Sequence, residues 1–345
     1  MAGLCAAARA RELGATPAVL EKGDRPGGSM FLSSGVVWRY RTLEDFRREC
    51  PAGDPGLQRL IVGRLDDALD WLESLGAPVV RRETGNPRTV GRRFDPRGLT
   101  ESLVRAAGGV RTGHRWGTDP ETRPEEPVVL ATGGFPVRLA RELALPIRSN
   151  AWSEGNGLDV AVTHGATATA GMDEFYGRAM PAPPARWGEP EFVDHAQVYG
   201  RFATVLDEHE TEIPWKADDW SENGLVQTIA ERGGRAWYVV DRGDLGRETP
   251  YGTIAKCIDR VRAAGGTVED RDGAVAVHVV AAVTHTIGGL AIDDRTHVLD
   301  ANGSPIPGLY AVGVDAGGWS TGGYASGLAA ALVLGLVAAE TIVGR

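Results

Sequence analysis

The sequence predicts an α/β protein with a parallel sheet, and three observations carry that prediction. A helix of small residues runs from Gly3 to about Gly14 and leads into Pro17-Ala18-Val19-Leu20-Glu21, a short strand that ends on an acid. Two more apolar strands lie far apart in the chain, Pro127-Val128-Val129-Leu130-Ala131-Thr132-Gly133-Gly134-Phe135 and Ile306-Pro307-Gly308-Leu309-Tyr310-Ala311-Val312-Gly313-Val314-Asp315. Each runs into glycine, as a buried parallel strand does when its carboxyl end meets a ligand. A continuous apolar helix from about Gly327 to Ile342 follows the last of them; its length and Ala/Gly content suit burial beneath a sheet rather than a membrane span.

Gly3 comes first in chain order. In a G-x-G-x-x-G turn the first glycine makes the tight bend, the second lets the backbone approach a pyrophosphate, and the third lets helix and strand pack closely. Gly3 fits the third position. Glu21 then stands roughly 20 residues from where the first glycine belongs, the place of a carboxylate that takes the ribose hydroxyls of an adenine dinucleotide. An alanine-rich helix and a short strand occur in any α/β protein, so these two residues alone leave an ordinary α/β unit open as well.

Residues 21 to 38, Glu-Lys-Gly-Asp-Arg-Pro-Gly-Gly-Ser-Met-Phe-Leu-Ser-Ser-Gly-Val-Val-Trp, narrow the choice. They resemble the second signature of FAD-dependent oxidoreductases of the fumarate reductase and 3-ketosteroid dehydrogenase superfamily. The resemblance implies that Glu21 and Lys22 close a strand at the nucleotide and that Gly27, Gly28 and Ser29 form a turn whose amides face the flavin dinucleotide. Ala131, Thr132, Gly133 and Gly134 are similar to the family's turn beside the FAD. Trp152-Ser153-Glu154-Gly155-Asn156-Gly157-Leu158 resembles its Gly-Asp-Gly turn, with Asn156 in the acid's place. Gly313 and Asp315, followed by Gly327 and Leu328 at a helix start, resemble its closing motif, where a helix N-terminus approaches the flavin ring and ribityl chain; such a terminus stabilises negative charge on a reduced flavin. The implied architecture is a discontinuous FAD-binding Rossmann-like domain, residues 1–165 and 281–345, with an inserted α+β cap, residues 166–280. No histidine occupies the setting used for covalent flavin attachment, so the expected FAD is non-covalent.

The remaining elements follow from local pattern. Thr42 to Leu75 reads as mostly helical, with helix-spaced apolar positions around Asp66-Asp67-Ala68-Leu69-Asp70-Trp71-Leu72. Phe94-Asp95-Pro96-Arg97-Gly98-Leu99 reads as a turn opening the next helix. Gly113 to Glu126 is polar and proline-bearing, where the family has several strands. Gly171 to Gly273 holds four of the nine tryptophans and four of the seven tyrosines, together with a charged run, Asp207-Glu208-His209-Glu210-Thr211-Glu212, that reads as a solvated loop. No internal repeat is present.

For chemistry, Val283-Thr284-His285-Thr286-Ile287-Gly288-Gly289 is the sharpest candidate. In fumarate reductases the corresponding His-Thr-x-Gly-Gly turn returns the chain from cap to flavin domain and holds a substrate carboxylate. Histidine suits that task because it donates a hydrogen bond and carries charge near neutral pH; a histidine that merely caps its own turn is the plainer alternative. The family's second carboxylate clamp is an arginine after the closing glycine turn. Gly318-Trp319-Ser320-Thr321-Gly322-Gly323-Tyr324-Ala325-Ser326-Gly327 contains none, which makes a dicarboxylate substrate doubtful. Tyr324 instead resembles the tyrosine with which ketosteroid dehydrogenases polarise a ketone; packing at a domain seam is its alternative. In the cap, Arg178 and Arg201 have the chemistry to orient an anionic or carbonyl substrate, or to form surface ion pairs, and Tyr176 or Tyr199 to carry a proton.

These residues together predict hydride transfer between flavin N5 and a carbon next to a carbonyl or carboxyl group, in either direction, with a small-molecule substrate and a separate electron acceptor or donor. The 42% hydrophobic content supports two domains with cores, and the net charge of −9 argues against a nucleic-acid partner. Cys5, Cys50 and Cys257 are odd in number and scattered, predicting a reduced, cytoplasmic chain without a metal centre. No apolar signal segment suggests a membrane partner. A nicotinamide dehydrogenase explains only the first motif, and a disulfide reductase needs a cysteine pair that is absent. The strand and first two glycines of the fingerprint do not precede Gly3. Their absence is read as a start upstream with Met1 an internal methionine, the alternative being a flavin-poor, non-catalytic remnant. A central strand burying five or six side chains at about 1.5–3 kcal/mol each rivals the stability of a whole domain, about 5–15 kcal/mol.

Overall fold

The computed structural model describes residues 1–115, 126–196, 200–215, 221–249 and 251–344. The chain divides into two compact units, the first comprising Met1–Val137, Asn150–Glu174 and His285–Arg345, the second Arg138–Ser149 and Phe175–Thr284. The elements run α1 (Ala2–Glu12), β1 (Val36–Tyr40), α2 (Leu43–Glu49), α3 (Pro55–Ser74), β2 (Val79–Arg81), β3 (Thr89–Phe94), α4 (Pro96–Ala107), β4 (Val128–Leu130), α5 (Pro136–Glu142) and α6 (Asn156–Thr163). The order continues with β5 (Phe175–Pro181), β6 (Thr204–Leu206), α7 (Asn223–Glu231), β7 (Arg235–Asp241), β8 (Glu248–Thr249), β9 (Gly252–Thr253), α8 (Ile254–Ala263), β10 (Val268–Arg271), β11 (Ala274–Thr286), β12 (His297–Leu299), β13 (Pro305–Ala311) and α9 (Gly327–Val343).

In the first unit, helix starts follow capping chemistry. Asp54 and Asp95 each accept the amide three residues on, from Leu57 and Gly98, with proline opening α3 and α4. Ser326 does the same for α9 by accepting the Ala329 amide. α9 is apolar on every side and buried from Ala329 to Ala339, as a helix without a polar face must be. Its terminal Glu340 is met by Arg9 at 3.2 Å and Arg64 at 2.8 Å. α1 buries six small or apolar residues between Leu4 and Ala10 and packs on α9 and α4; alanine side chains allow that close approach on two sides.

The sheet nearest the predicted motifs is mixed rather than wholly parallel. β13 pairs β4 in parallel, Tyr310 opposite Val129, and β12 lies antiparallel on the far side of β13. The expected strand at Pro17–Glu21 is reduced to one parallel bridge, Leu20 to Arg111, with the Glu21 amide donating to Arg111 and the Arg111 amide to Val19. β1, β3 and β2 form a separate antiparallel sheet.

The second unit is built on β11, thirteen residues long, with neighbours β10, β7 and β5, while β6 pairs β7. Val275 to Val283 are all buried, whereas β7 alternates, burying Ala236, Tyr238 and Val240. α7 packs on β5 and β7, and α8 on β10.

The unit boundaries differ from those expected. Residues 166–174 stay with the first unit because Thr167 donates to Leu299 and Thr169 to Gly289. Residues 138–149 belong to the second because Ile147 bridges Val283 and Arg148 donates to the same carbonyl at 2.7 Å. The charged run 207–212 is an exposed loop, as expected, held by local and cross-strand bonds: Asp207 accepts the His209 and Thr211 amides, Glu208 meets His278 at 2.8 Å, and Glu210 receives Arg271 in two bonds. Most of the polar stretch 113–126 lies outside the described residues.

Candidate cofactor and active site

Four glycine-bearing turns meet in the first unit, and an acid joins two of them. The Asp315 carboxylate accepts the Thr132 amide, the Gly133 amide at 3.0 Å, the Gly134 amide at 3.3 Å and the Thr132 hydroxyl at 2.8 Å. It therefore locks the turn after β4 to the turn after β13. Burial pushes its pKa up, and the four donors oppose that shift without reversing it. Gly133 and Gly134 have φ of +90° and +67°, and a Cβ at either would stand 2.5 Å from the Ser153 or Thr286 hydroxyl. Only glycine makes this turn.

The starts of α1 and α6 flank the same turn. A Cβ on Gly3 would lie 3.0 Å from Ala131 Cβ, and one on Gly157 would lie 2.7 Å from Thr132 Oγ1, so both helices begin in bare backbone against the β4 turn. Gly313 is equally close to Ala2. Glu21 accepts the Gly23 amide at 2.7 Å, and Lys22 joins Glu154 at 2.7 Å to Asn156 at 2.8 Å. Gly27 and Gly28 open a short 3₁₀ turn, where Ser29 Oγ accepts the Asn150 amide at 3.2 Å. These residues fit a flavin dinucleotide: glycines leave backbone donors uncovered, and two helix N-termini supply the positive ends that phosphates seek. Gly3, Glu21, Gly27, Gly28, Ser29, Asn156 and Gly313 are those that would hold it.

His285 sits at the start of α9, a Cβ on Gly327 being 3.0 Å from its Nε2. Leu328 follows Gly327 in the first turn of that helix. His285 Nδ1 is 3.0 Å from the Thr286 carbonyl, so Nδ1 carries the proton and Nε2 is an acceptor in the neutral ring. Burial depresses the imidazole pKa to about 4, and the nearby helix N-terminus acts in the same direction. Burial thus favours a neutral, accepting His285 over the charge-bearing donor expected from the sequence. Tyr324 lies against it, ring centroids 6.0 Å apart. Trp38 packs edge-on to Tyr324 at 5.7 Å, and the Tyr40 hydroxyl donates to the Tyr324 carbonyl at 2.8 Å.

Tyr40 and Asn150 lie outside the motifs read in the sequence, and Trp38 and Ser153 lie inside them without an assigned role; all four serve through tertiary contact. Ser326 did carry a signal, a serine just before an apolar helical run.

Tyr176, Arg178 and Arg201 lie in the second unit. Arg178 is buried; its guanidinium donates to the carbonyls of Ser221 at 2.8 Å and Ala196 at 3.1 Å, and stands 3.4 Å from the Glu222 carboxylate. Its donors are engaged inside the unit, which corrects its reading as a substrate clamp. Arg201 covers the Phe202 ring at 4.9 Å. Tyr176 is half-buried on β5, and Tyr199 lies outside the described residues. Cys5, Cys50 and Cys257 are all buried, and burial pushes the Cys5 thiol up to about 12, so it is inert near neutrality. Among the described residues no helix is long and apolar enough to cross a membrane.

Solved structures with this fold include the open conformation of a flavocytochrome c3 fumarate reductase, 21% identical, with a TM-score of 0.70 over 99% of this chain and 76% of the other. A 3-ketosteroid-Δ4-(5α)-dehydrogenase from Rhodococcus jostii RHA1 in complex with 4-androstene-3,17-dione is 18% identical, with a TM-score of 0.71 over 100% and 95%. A 3-ketosteroid Δ1-dehydrogenase from Sterolibacterium denitrificans in complex with 1,4-androstadiene-3,17-dione is 13% identical, with a TM-score of 0.71 over 99% and 97%. At these identities the likeness is one of fold. The FAD binding domain model matches residues 1–122 and 88–330, and the chain therefore belongs to that family, an oxidoreductase fold with FAD as its cofactor.

Proposed function

We propose that the protein interconverts a ketone and its α,β-unsaturated counterpart, the hydride moving at the β carbon and a proton at the α carbon. The observation that supports this reading best is the trio at the start of α9: a neutral, accepting His285, the phenol of Tyr324 and the N-terminus of a seventeen-residue helix. A dicarboxylate calls for donors and positive charge at both ends. Here His285 offers a lone pair, and the stretch 318–327 holds no arginine.

When bound, FAD supplies the two-electron redox chemistry. The chain's part is to polarise the carbonyl and manage a proton. The Tyr324 hydroxyl donates to the ketone oxygen, which stabilises the enolate-like charge that develops as the α C–H bond gives its proton to water. The backbone amides at the α9 N-terminus add to this, and Ser326 keeps that helix start rigid. Trp38 and Tyr40 hold the Tyr324 segment in place from the β1 side. His285 accepts a hydrogen bond at Nε2 without taking a charge.

The purified protein, incubated with FAD and freed of excess flavin, tests this anaerobically. Oxidised enzyme mixed with 4-androstene-3,17-dione is expected to lose its flavin absorption, while dithionite-reduced enzyme mixed with fumarate stays reduced. Rapid reoxidation by fumarate, with no response to the ketone, overturns the reading in favour of dicarboxylate chemistry.

A further inference from the structure

We propose that the second unit carries a binding site for a small organic anion with an apolar body, separate from every residue of the candidate active site. A cleft of about 520 Å³ opens between the segment after α5, the segment after β5 and the start of β7. That volume is in the range of small-molecule clefts, roughly 300–1,000 Å³, and the cleft is open to solvent on one side. Leu145, Ile147, Trp187 and Val280 give it an apolar lining, and Arg186 and Arg235 stand in the same lining.

The polar groups of the surrounding chain are largely spent. Trp187 donates its indole N–H to the Pro181 carbonyl at 2.9 Å and is braced edge-on by Phe192 at 5.9 Å, so it offers the cleft carbon surface. The Pro146 carbonyl accepts Val283, and the Arg186 amide donates to Ala264. The two guanidinium groups are different. Both arginines are exposed, and neither has an ion pair or side-chain hydrogen bond among the described residues.

Other arginines of this unit do find carboxylates: Arg232 with Asp207, Arg242 with Asp270, Arg247 with Asp244, Arg262 with Asp259 and Arg271 with Glu210. In a chain of net charge −9, two such cations beside one apolar cleft are a local reversal of sign. An apolar body gains burial against the lining, and a carboxylate or sulfonate on that body gains charge-assisted bonds from the planar guanidinium forks. The occupant is therefore an arene or short acyl chain bearing one anionic group. Because the site shares no residue with the cofactor turns, its occupancy is read independently of redox activity.

The test is equilibrium fluorescence titration of the FAD-loaded protein with 1-anilinonaphthalene-8-sulfonate and with the neutral N-phenyl-1-naphthylamine. Wild-type protein is expected to bind one sulfonate saturably, weakening as salt is raised. The double variant Arg186→Gln/Arg235→Gln binds it about tenfold or more weakly while keeping its affinity for the neutral dye, each lost charge-assisted bond costing up to about tenfold. Arg186→Lys/Arg235→Lys retains most of the binding, and Ala185→Trp, which fills the cleft, abolishes both dyes. Thermal unfolding and flavin absorption of the glutamine variant match wild type, since exposed side chains change stability little. Sulfonate binding that is indifferent to both the glutamine pair and Ala185→Trp overturns the proposal. So does equal weakening of both dyes by the glutamine pair.

Discussion

His285 should make the stability of the first unit depend on pH, in a direction fixed by its surroundings. Its ordinary pKa of 6.5 falls to about 4 in the folded protein. At about 1.4 kcal/mol per pKa unit, that fall corresponds to roughly 3 kcal/mol between the two protonation states. An edge of the residue still meets solvent, so about 2–3 kcal/mol is the fairer figure. Between pH 6.5 and 4 the unfolded chain binds the proton that the folded chain refuses, so stability rises with pH through that window. The contribution is fully present above about pH 6.5 and is lost as pH falls to about 4. Replacing His285 with Gln keeps an acceptor and removes the titration. Thermal unfolding of the FAD-loaded wild type and His285→Gln, followed from pH 7 to 4, should show wild type losing about 2–3 kcal/mol more than the variant. That corresponds to roughly 4–12 °C for a unit of this size. Two profiles that stay parallel to within about 1 kcal/mol, or an imidazole that titrates near 6.5 by NMR, refute the reasoning.

Other perturbations separate roles that lie close together. Asp315→Ala strands the buried Gly134 amide and frees the turns on either side, so a loss of about 2–4 kcal/mol is expected together with poorer retention of FAD on gel filtration; an unchanged melting temperature contradicts its joining role. Tyr324→Phe should keep the flavin spectrum and melting temperature while lowering kcat/KM towards a ketone by about 10²–10³, and full activity removes Tyr324 from the chemistry. Arg178→Met leaves the Glu222 carboxylate buried without its cation and should destabilise the second unit by about 3–5 kcal/mol without changing FAD absorption, as read by calorimetry. Ser326→Ala should cost about 0.5–2 kcal/mol through the lost α9 cap, measured by urea unfolding.

Much of the cofactor site was legible because its parts are local. Strands that run into glycines, Gly3 at a helix start and the serine before α9 are written in consecutive residues, since a turn that must expose backbone leaves little room for other residue types. The α/β class followed from the same local periodicities. Other features needed tertiary structure. Whether His285 is charged depends on burial and on the N-terminus of a helix that begins forty-two residues later, at Gly327. Asp315 reads in sequence as a cofactor ligand, yet its carboxylate is engaged by a turn more than 180 residues away. Arg178 looks solvent-facing in composition, and only its partners Ser221, Ala196 and Glu222 decide otherwise. The sequence by itself determined which segments bend, cap and bury, because those are local backbone requirements. Tertiary structure decided charge state, hydrogen-bond allegiance and unit boundaries, because each is a competition between water and a partner distant along the chain.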